Sequence, residues 1–186
     1  MIFTETKLKG SFIVTPEMIG DERGFFARTW TPEEFAARGL NPRILQCNIS
    51  HNTRRGTVRG MHLQVKPHEE AKLVRCTRGA LYDVAVDLRE DSLTYLHWTA
   101  VELTAENRLM FYIPEGFAHG YQTLADDTEV FYQMSEYYHP ASARGLRWND
   151  PALGIEWPLP VSVISPKDLE NPLIMDSVFR RAGEGT

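Results

Sequence analysis

Leu81-Tyr82-Asp83-Val84-Ala85-Val86-Asp87-Leu88 decides the fold class. Tyr82, Val84, Val86 and Leu88 fall on one face of an extended chain, and Leu81, Asp83, Ala85 and Asp87 on the other. Working outward, the same period-two alternation runs through 57–64, 71–77, 96–103, 109–113, 120–124 and 128–136, with Gly, Pro, Asn and Asp punctuating the gaps. Helical signals are few. Thr31 and Glu34 have capping-box spacing and Gly39 can close the turn, so a single short helix is expected over Pro32 to Arg38. A βαβ fold would need helices between the strands. The pattern instead predicts an all-β chain, an antiparallel sandwich or barrel of jelly-roll type with one or few short helices.

A length of 186 residues suits one domain with a sizeable core, expected over 1–186 with 180–186 as a frayed tail. The net charge of -5, with no basic block, argues against nucleic acid, so an anionic ligand would have to be held by a few placed cations. The sequence has no run of 18 apolar residues and no leader pattern. A cytoplasmic protein without a membrane span is therefore expected. Cys47 and Cys76 lack CxxC spacing and read as a reduced pair. Val14 to Gly24 lacks the strand–glycine–helix order of a dinucleotide site. Trp148, Trp157 and the proline-rich segment from Pro151 to Pro160 read as a cap on the core.

Four polar residues stand out among the predicted strands. Lys72 shares its face with Val74 and Cys76, and Tyr132 with Val130 and Met134. His62 shares its face with Gly60 and Gln64, where Gly60 leaves room for a bulge or a close backbone approach. His119, between Phe117-Ala118 and the run starting at Gly120, is placed at a strand mouth. Alone, the tyrosine would be core, the lysine could snorkel to an edge and each histidine could be structural. Together in one cavity they are costly to bury without a use.

Two chemistries fit. His62, Glu69 or Glu70, and His119 could form a three-ligand metal site, although Lys72 would put a cation beside the metal. Alternatively, metal-free proton transfer next to a carbonyl needs a base, an oxyanion donor and, for inversion, an acid on the opposite face. His62, Lys72 and Tyr132 have those respective chemistries.

Several ordered motifs add to this: Asp21-Glu22-Arg23-Gly24-Phe25-Phe26, Gln46-Cys47-Asn48-Ile49-Ser50, Arg59-Gly60-Met61-His62-Leu63-Gln64, Lys72-Leu73-Val74, Asp83 to Arg89, Gly116-Phe117-Ala118-His119-Gly120, Tyr132, and Ser165-Pro166-Lys167-Asp168. In this order, from about Asp21 to Asp168, the chain resembles the dTDP-4-dehydrorhamnose 3,5-epimerases, isomerases of deoxysugar biosynthesis. The resemblance implies a cupin-fold homodimer that uses neither a metal nor another cofactor. It implies His62 as the base, oriented by Asp168, with Lys72 stabilising an enolate at the sugar C4 oxygen and Tyr132 as the acid. Arg23, Arg59, Gln46, Asn48, His119 and Lys167 would hold the nucleotide diphosphate sugar, and Tyr138 would offer an aromatic face to the nucleobase. The chain departs from the family pattern at four positions. Arg28, at a nucleotide-contacting position, and Ala143 each stand where a glutamate is usual, Glu70 replaces a common glutamine and Leu63 a common tyrosine. These departures leave open the preferred nucleotide (dTDP, CDP or GDP) and whether one carbon or two is inverted.

Overall fold

The computed structural model describes residues 1–177 and 179. The expected tail at 180–186 lies outside the described residues. The elements in chain order are β1 (Ile2–Glu5), β2 (Phe12–Thr15), β3 (Met18–Asp21), β4 (Gly24–Ala27), α1 (Pro32–Ala36), β5 (Gln46–Asn52), β6 (Val58–Gln64), β7 (Lys72–Arg78), β8 (Ala80–Asp87), β9 (Trp98–Thr104), β10 (Met110–Ile113), β11 (Phe117–Thr123), β12 (Thr128–Met134), β13 (Ala143–Gly145) and α2 (Pro166–Leu169). One sheet has the order β1-β2-β10-β7-β12-β5 and faces a second of order β13-β6-β11-β8-β9; β3 and β4 form a separate hairpin. Neighbours in both large sheets pair antiparallel, giving the expected jelly roll. No helix among the described residues is long and apolar enough to cross a membrane.

Two of three apolar layers explain why β8 is apolar on both faces. Between the sheets, Leu81 and Ala85 pack with Val74, Cys76, Phe111, Phe117 and Val130. On the outer face of the second sheet, Val84 and Val86 join Met61, Leu63, Leu146 and Ile174, and Trp157 covers them from the C-terminal segment. The outer face of the first sheet is covered by Phe35 of α1, which joins Val14, Leu73, Met110 and Tyr112. The expected tryptophan cap is therefore present, with the Trp157 indole donating to the Trp148 carbonyl. Cys47 is exposed and Cys76 buried, and both are free thiols. Burial pushes the Cys76 thiol up to about 11.

Two local expectations are corrected. The capping box at Thr31 does not form: its hydroxyl bonds the Glu33 carboxylate, while Glu34 is drawn to the Met1 amino group. The helix stops at Ala36, with Gly39 at φ +70° donating to the Ala36 carbonyl to close the turn. His119 is not at a strand mouth. β11 begins at Phe117, so His119 lies inside the strand and is buried.

The bulge at Gly60 shapes the site. Strict alternation would put Arg59 and His62 on opposite faces of β6. Against β11, however, His62 pairs with His119 and Arg59 with Tyr121, so three steps on one strand oppose two on the other. The extra residue turns both side chains to the same side of the sheet. Gly60 has φ +130°, and a Cβ there would lie 2.5 Å from the Gly120 Cα. Gly60→Ala is expected to destabilise the chain by about 3 kcal/mol, checked by urea unfolding. A stability equal to that of the unaltered chain would contradict this role.

Candidate active site

A cavity of about 550 Å³ opens between the two sheets. β5 lines it with Gln46, Asn48 and Ser50, β7 with Lys72, and β12 with Tyr132 and Met134; the facing wall carries Arg59, His62, His119 and Tyr121 from β6 and β11. Lys167 and Tyr138 border it from the loops. Nine of the expected site residues thus share one cavity, and Asp168 stands directly behind His62.

The His62–Asp168 pair depends on α2, a helix absent from the expected pattern. Ser165 caps it, its hydroxyl accepting from the Asp168 main-chain N–H at 3.1 Å. This turn delivers the Asp168 carboxylate to His62, with Oδ1 2.6 Å from Nε2. With Nε2–H donated to Asp168, Nδ1 of His62 carries the ring's remaining lone pair. Burial alone would raise the Asp168 carboxyl. The hydrogen bond and charge of His62, the Gly60 N–H and the Ser165 contact outweigh that and hold it below the usual carboxylate range. Its ionisation therefore adds stability that is fully present above about pH 4 and lost as pH falls through the lowered folded value. Asp168→Asn is expected to make the loss of stability below about pH 4 shallower, as read from urea midpoints across that range. An unchanged acid limb would contradict it.

The oxyanion and acid candidates lie in the first sheet. Lys72 is buried, with Nζ 3.0 Å from Glu70 Oε1 and 3.3 Å from the His62 carbonyl oxygen. Tyr132, on the wall opposite His62, has its phenol pushed up by burial, opposed by the charge of Arg59. It is therefore a protonated donor at neutral pH. Arg59 donates through Nε to Asn52 Oδ1 at 2.8 Å, and Tyr121 bonds Ser50 and Asn52, which ties β5 to the other wall. Tyr138 is held at the rim by its main-chain N–H, which donates to Gln46 Oε1.

Two expected residues are not brought to this cavity. Arg23 and Arg28 are exposed, on and just after the β3–β4 hairpin, and Arg23 pairs with Asp21 instead. The metal arrangement does not assemble either: His62 is committed to Asp168, His119 to Asp83 and Glu70 to Lys72. No three His, Cys, Asp or Glu side chains converge to hold a metal among the described residues.

Sequence reasoning missed Asp83 as a site residue. Its Oδ1 lies 2.7 Å from His119 Nε2, and it is fully buried. The signal was present, because an aspartate in the apolar run 81–88 needs a partner. Ser50, Tyr121 and Asn171 also line or support the cavity without having been singled out.

Comparison with known proteins shows the family to which the chain belongs. The family model described as dTDP-4-dehydrorhamnose 3,5-epimerase matches residues 5–176. The chain belongs to this family. An epimerase of that name from Methanothermobacter thermautotrophicus is 45% identical, across 93% of this chain and 97% of its own. The crystal structure of the dTDP-4-dehydrorhamnose 3,5-epimerase from Elizabethkingia anophelis superimposes with a TM-score of 0.92 at 40% identity, covering 95% of this chain and 97% of that one. The epimerase from Legionella pneumophila, solved in complex with dTDP-4-keto-L-rhamnose, has a TM-score of 0.87 at 37% identity, covering 94% and 93%. His62 and Tyr132 thus face each other across the cavity of a chain of this family.

Proposed function

We propose that this chain epimerises dTDP-4-keto-6-deoxy-D-glucose at C3 and C5 to give dTDP-4-keto-L-rhamnose. One observation carries the reading: the His62–Asp168 dyad and Tyr132 stand on opposite walls of one cavity that also holds a buried lysine. His62 Nδ1 takes the proton from the carbon beside the C4 ketone, and Asp168 stabilises the imidazolium that forms. The electron pair moves onto the C4 oxygen, where the Lys72 ammonium donates to it. Tyr132 returns a proton from the opposite face, which inverts the carbon. Arg59 and Lys167 supply positive charge for the diphosphate, with His119, Gln46 and Asn48 beside them, and Tyr138 offers its ring to the nucleobase.

The working unit is a homodimer of single-domain chains. The β3–β4 hairpin exposes Ile19, Phe25 and Phe26, and it carries Arg23 away from its own cavity. A second copy covering that apolar surface would bring Arg23 and Arg28 to a neighbouring site. The substrate class suits the cytoplasmic setting expected from the sequence.

The test is NMR of the product formed from dTDP-4-keto-6-deoxy-D-glucose. Inversion at C3 and C5 supports the proposal, inversion at one carbon identifies a mono-epimerase, and recovery of unchanged sugar overturns it. Tyr132→Phe separates the two half-reactions. It is expected to keep hydrogen exchange into the substrate while lowering epimerised product by about 10²-fold, as read by deuterium content against product yield. Product formation at the native rate would remove Tyr132 from the acid role.

A further inference from the structure

The mechanism uses Lys72 but leaves unexplained the carboxylate beside it. Glu70 lies two residues before β7 in the cavity wall, with its side chain 3% exposed and that of Lys72 7% exposed. The adjacent main chain is clamped, since Ala71 N–H donates to Ser135 Oγ at 2.8 Å and Ser135 N–H to the Ala71 carbonyl at 3.0 Å. Glu70 is therefore held from a rigid strand junction rather than from a mobile loop. Its Oε1 meets Lys72 Nζ at 3.0 Å, while its Oε2 is buried with no hydrogen-bond partner among the described residues. A buried ion pair whose remaining lone pairs are unsatisfied is poor stabilisation, because desolvation of the carboxylate is offset by one contact only.

The geometry of the ammonium gives the pair a different use. A lysine ammonium has three N–H donors on a flexible four-carbon stem. Glu70 Oε1 takes one and the His62 main-chain carbonyl takes a second at 3.3 Å. The third is left for the cavity that Lys72 lines. The same arrangement ties the oxyanion donor to the residue that carries the base, so the spacing between them is set by the protein and not by the substrate.

We propose that Glu70 is a positioning residue for Lys72: its Oε1 holds one ammonium proton so that another N–H points at the substrate oxygen that becomes negative. This rests on the epimerase reading, and what matters is the reach of the acceptor rather than its charge. Two variants separate these. Glu70→Gln keeps an acceptor at the same reach without the charge, whereas Glu70→Asp keeps the charge and withdraws the acceptor by one carbon–carbon bond, roughly 1.5 Å.

In turnover of dTDP-4-keto-6-deoxy-D-glucose, E70Q is expected to stay within about threefold of the native kcat. E70D should fall at least about tenfold in kcat with KM changed by less than about twofold. In a Lys72→Met background, E70D should lower the residual deuterium exchange by less than about twofold, because the residue it acts through is gone. A readout free of substrate accompanies these. With lysine labelled at 13Cε, the Lys72 signal, assigned by its loss in K72M, should keep its native shift in E70Q and move toward that of a free lysine in E70D. The proposal is overturned by a native kcat in E70D, by E70Q as slow as E70D, by equal losses in the two Lys72 backgrounds, or by an unmoved Lys72 signal in E70D. An unaltered chain that turns over no sugar contradicts the epimerase reading instead, and the 13C shifts then decide the positioning of Lys72 on their own.

Discussion

His62→Asn is expected to lower kcat by about 10³-fold, within the range that loss of a general base produces, while leaving the fold intact. Nδ1 of His62 is the proton acceptor in the proposed reaction, and an amide at that position has no basic lone pair. The side chain is 45% exposed, so its replacement removes little packing. Among the described residues Asp168 is the one side chain hydrogen-bonded to its ring, and the Asp168 carboxylate keeps the Gly60 N–H at 3.4 Å when the imidazole is gone. Thermal unfolding should therefore stay near that of the unaltered chain while steady-state turnover and hydrogen exchange at the sugar both collapse. Turnover within about tenfold of native would put the base elsewhere.

Lys72→Met is expected to lower kcat by about 10²- to 10³-fold, the effect of losing one preorganised oxyanion donor. Unlike the histidine variant, it should also unfold more readily. Methionine fills the stem but leaves the Glu70 carboxylate buried without its cation, since Glu70 Oε2 has no partner and Oε1 loses the contact at 3.0 Å. Breaking a buried pair from one side costs about 3–5 kcal/mol. Adding Glu70→Gln to Lys72→Met should recover most of that stability and none of the rate. Urea unfolding and turnover on the two chains check this. Recovery of rate together with stability would show that Lys72 acts structurally.

The fold was legible where strands bury apolar side chains and obscure where they do not. β8 announces itself because both of its faces are buried, one between the sheets and one under Leu146 and Ile174. β5 is the instructive opposite. Gln46, Asn48, Ser50 and Asn52 turn inward because they line or support the cavity, while Cys47, Ile49 and His51 turn to solvent. Its hydrophobic pattern is inverted, so periodicity could not mark it as a strand. β3 and β4 leave Met18, Ile19, Phe25 and Phe26 exposed, and an isolated hairpin with no core face gives the same poor signal.

The site followed a similar logic. Lys72 and Tyr132 could be read from the residues because each interrupts an apolar face, and His62 because it follows a glycine within a strand. Asp168 was reached only through the family resemblance, because a four-residue helix has too little periodicity to show, and its link to His62 spans 106 positions. Arg59 joins the site only through the extra residue at Gly60, which the sequence hinted at with a glycine in a strand. Arg23 and Arg28 were also reached through the resemblance, and no described element of the chain carries them to the cavity.

The central claim is proton abstraction beside the C4 ketone by His62, and the most direct test is deuterium entry. The unaltered chain and His62→Asn are each incubated with dTDP-4-keto-6-deoxy-D-glucose in deuterated water and followed by NMR. The proposed roles predict deuterium at both C3 and C5 with the unaltered chain and almost none with the variant. Deuterium entering equally fast with both chains, or inverted product that carries no deuterium, would contradict them.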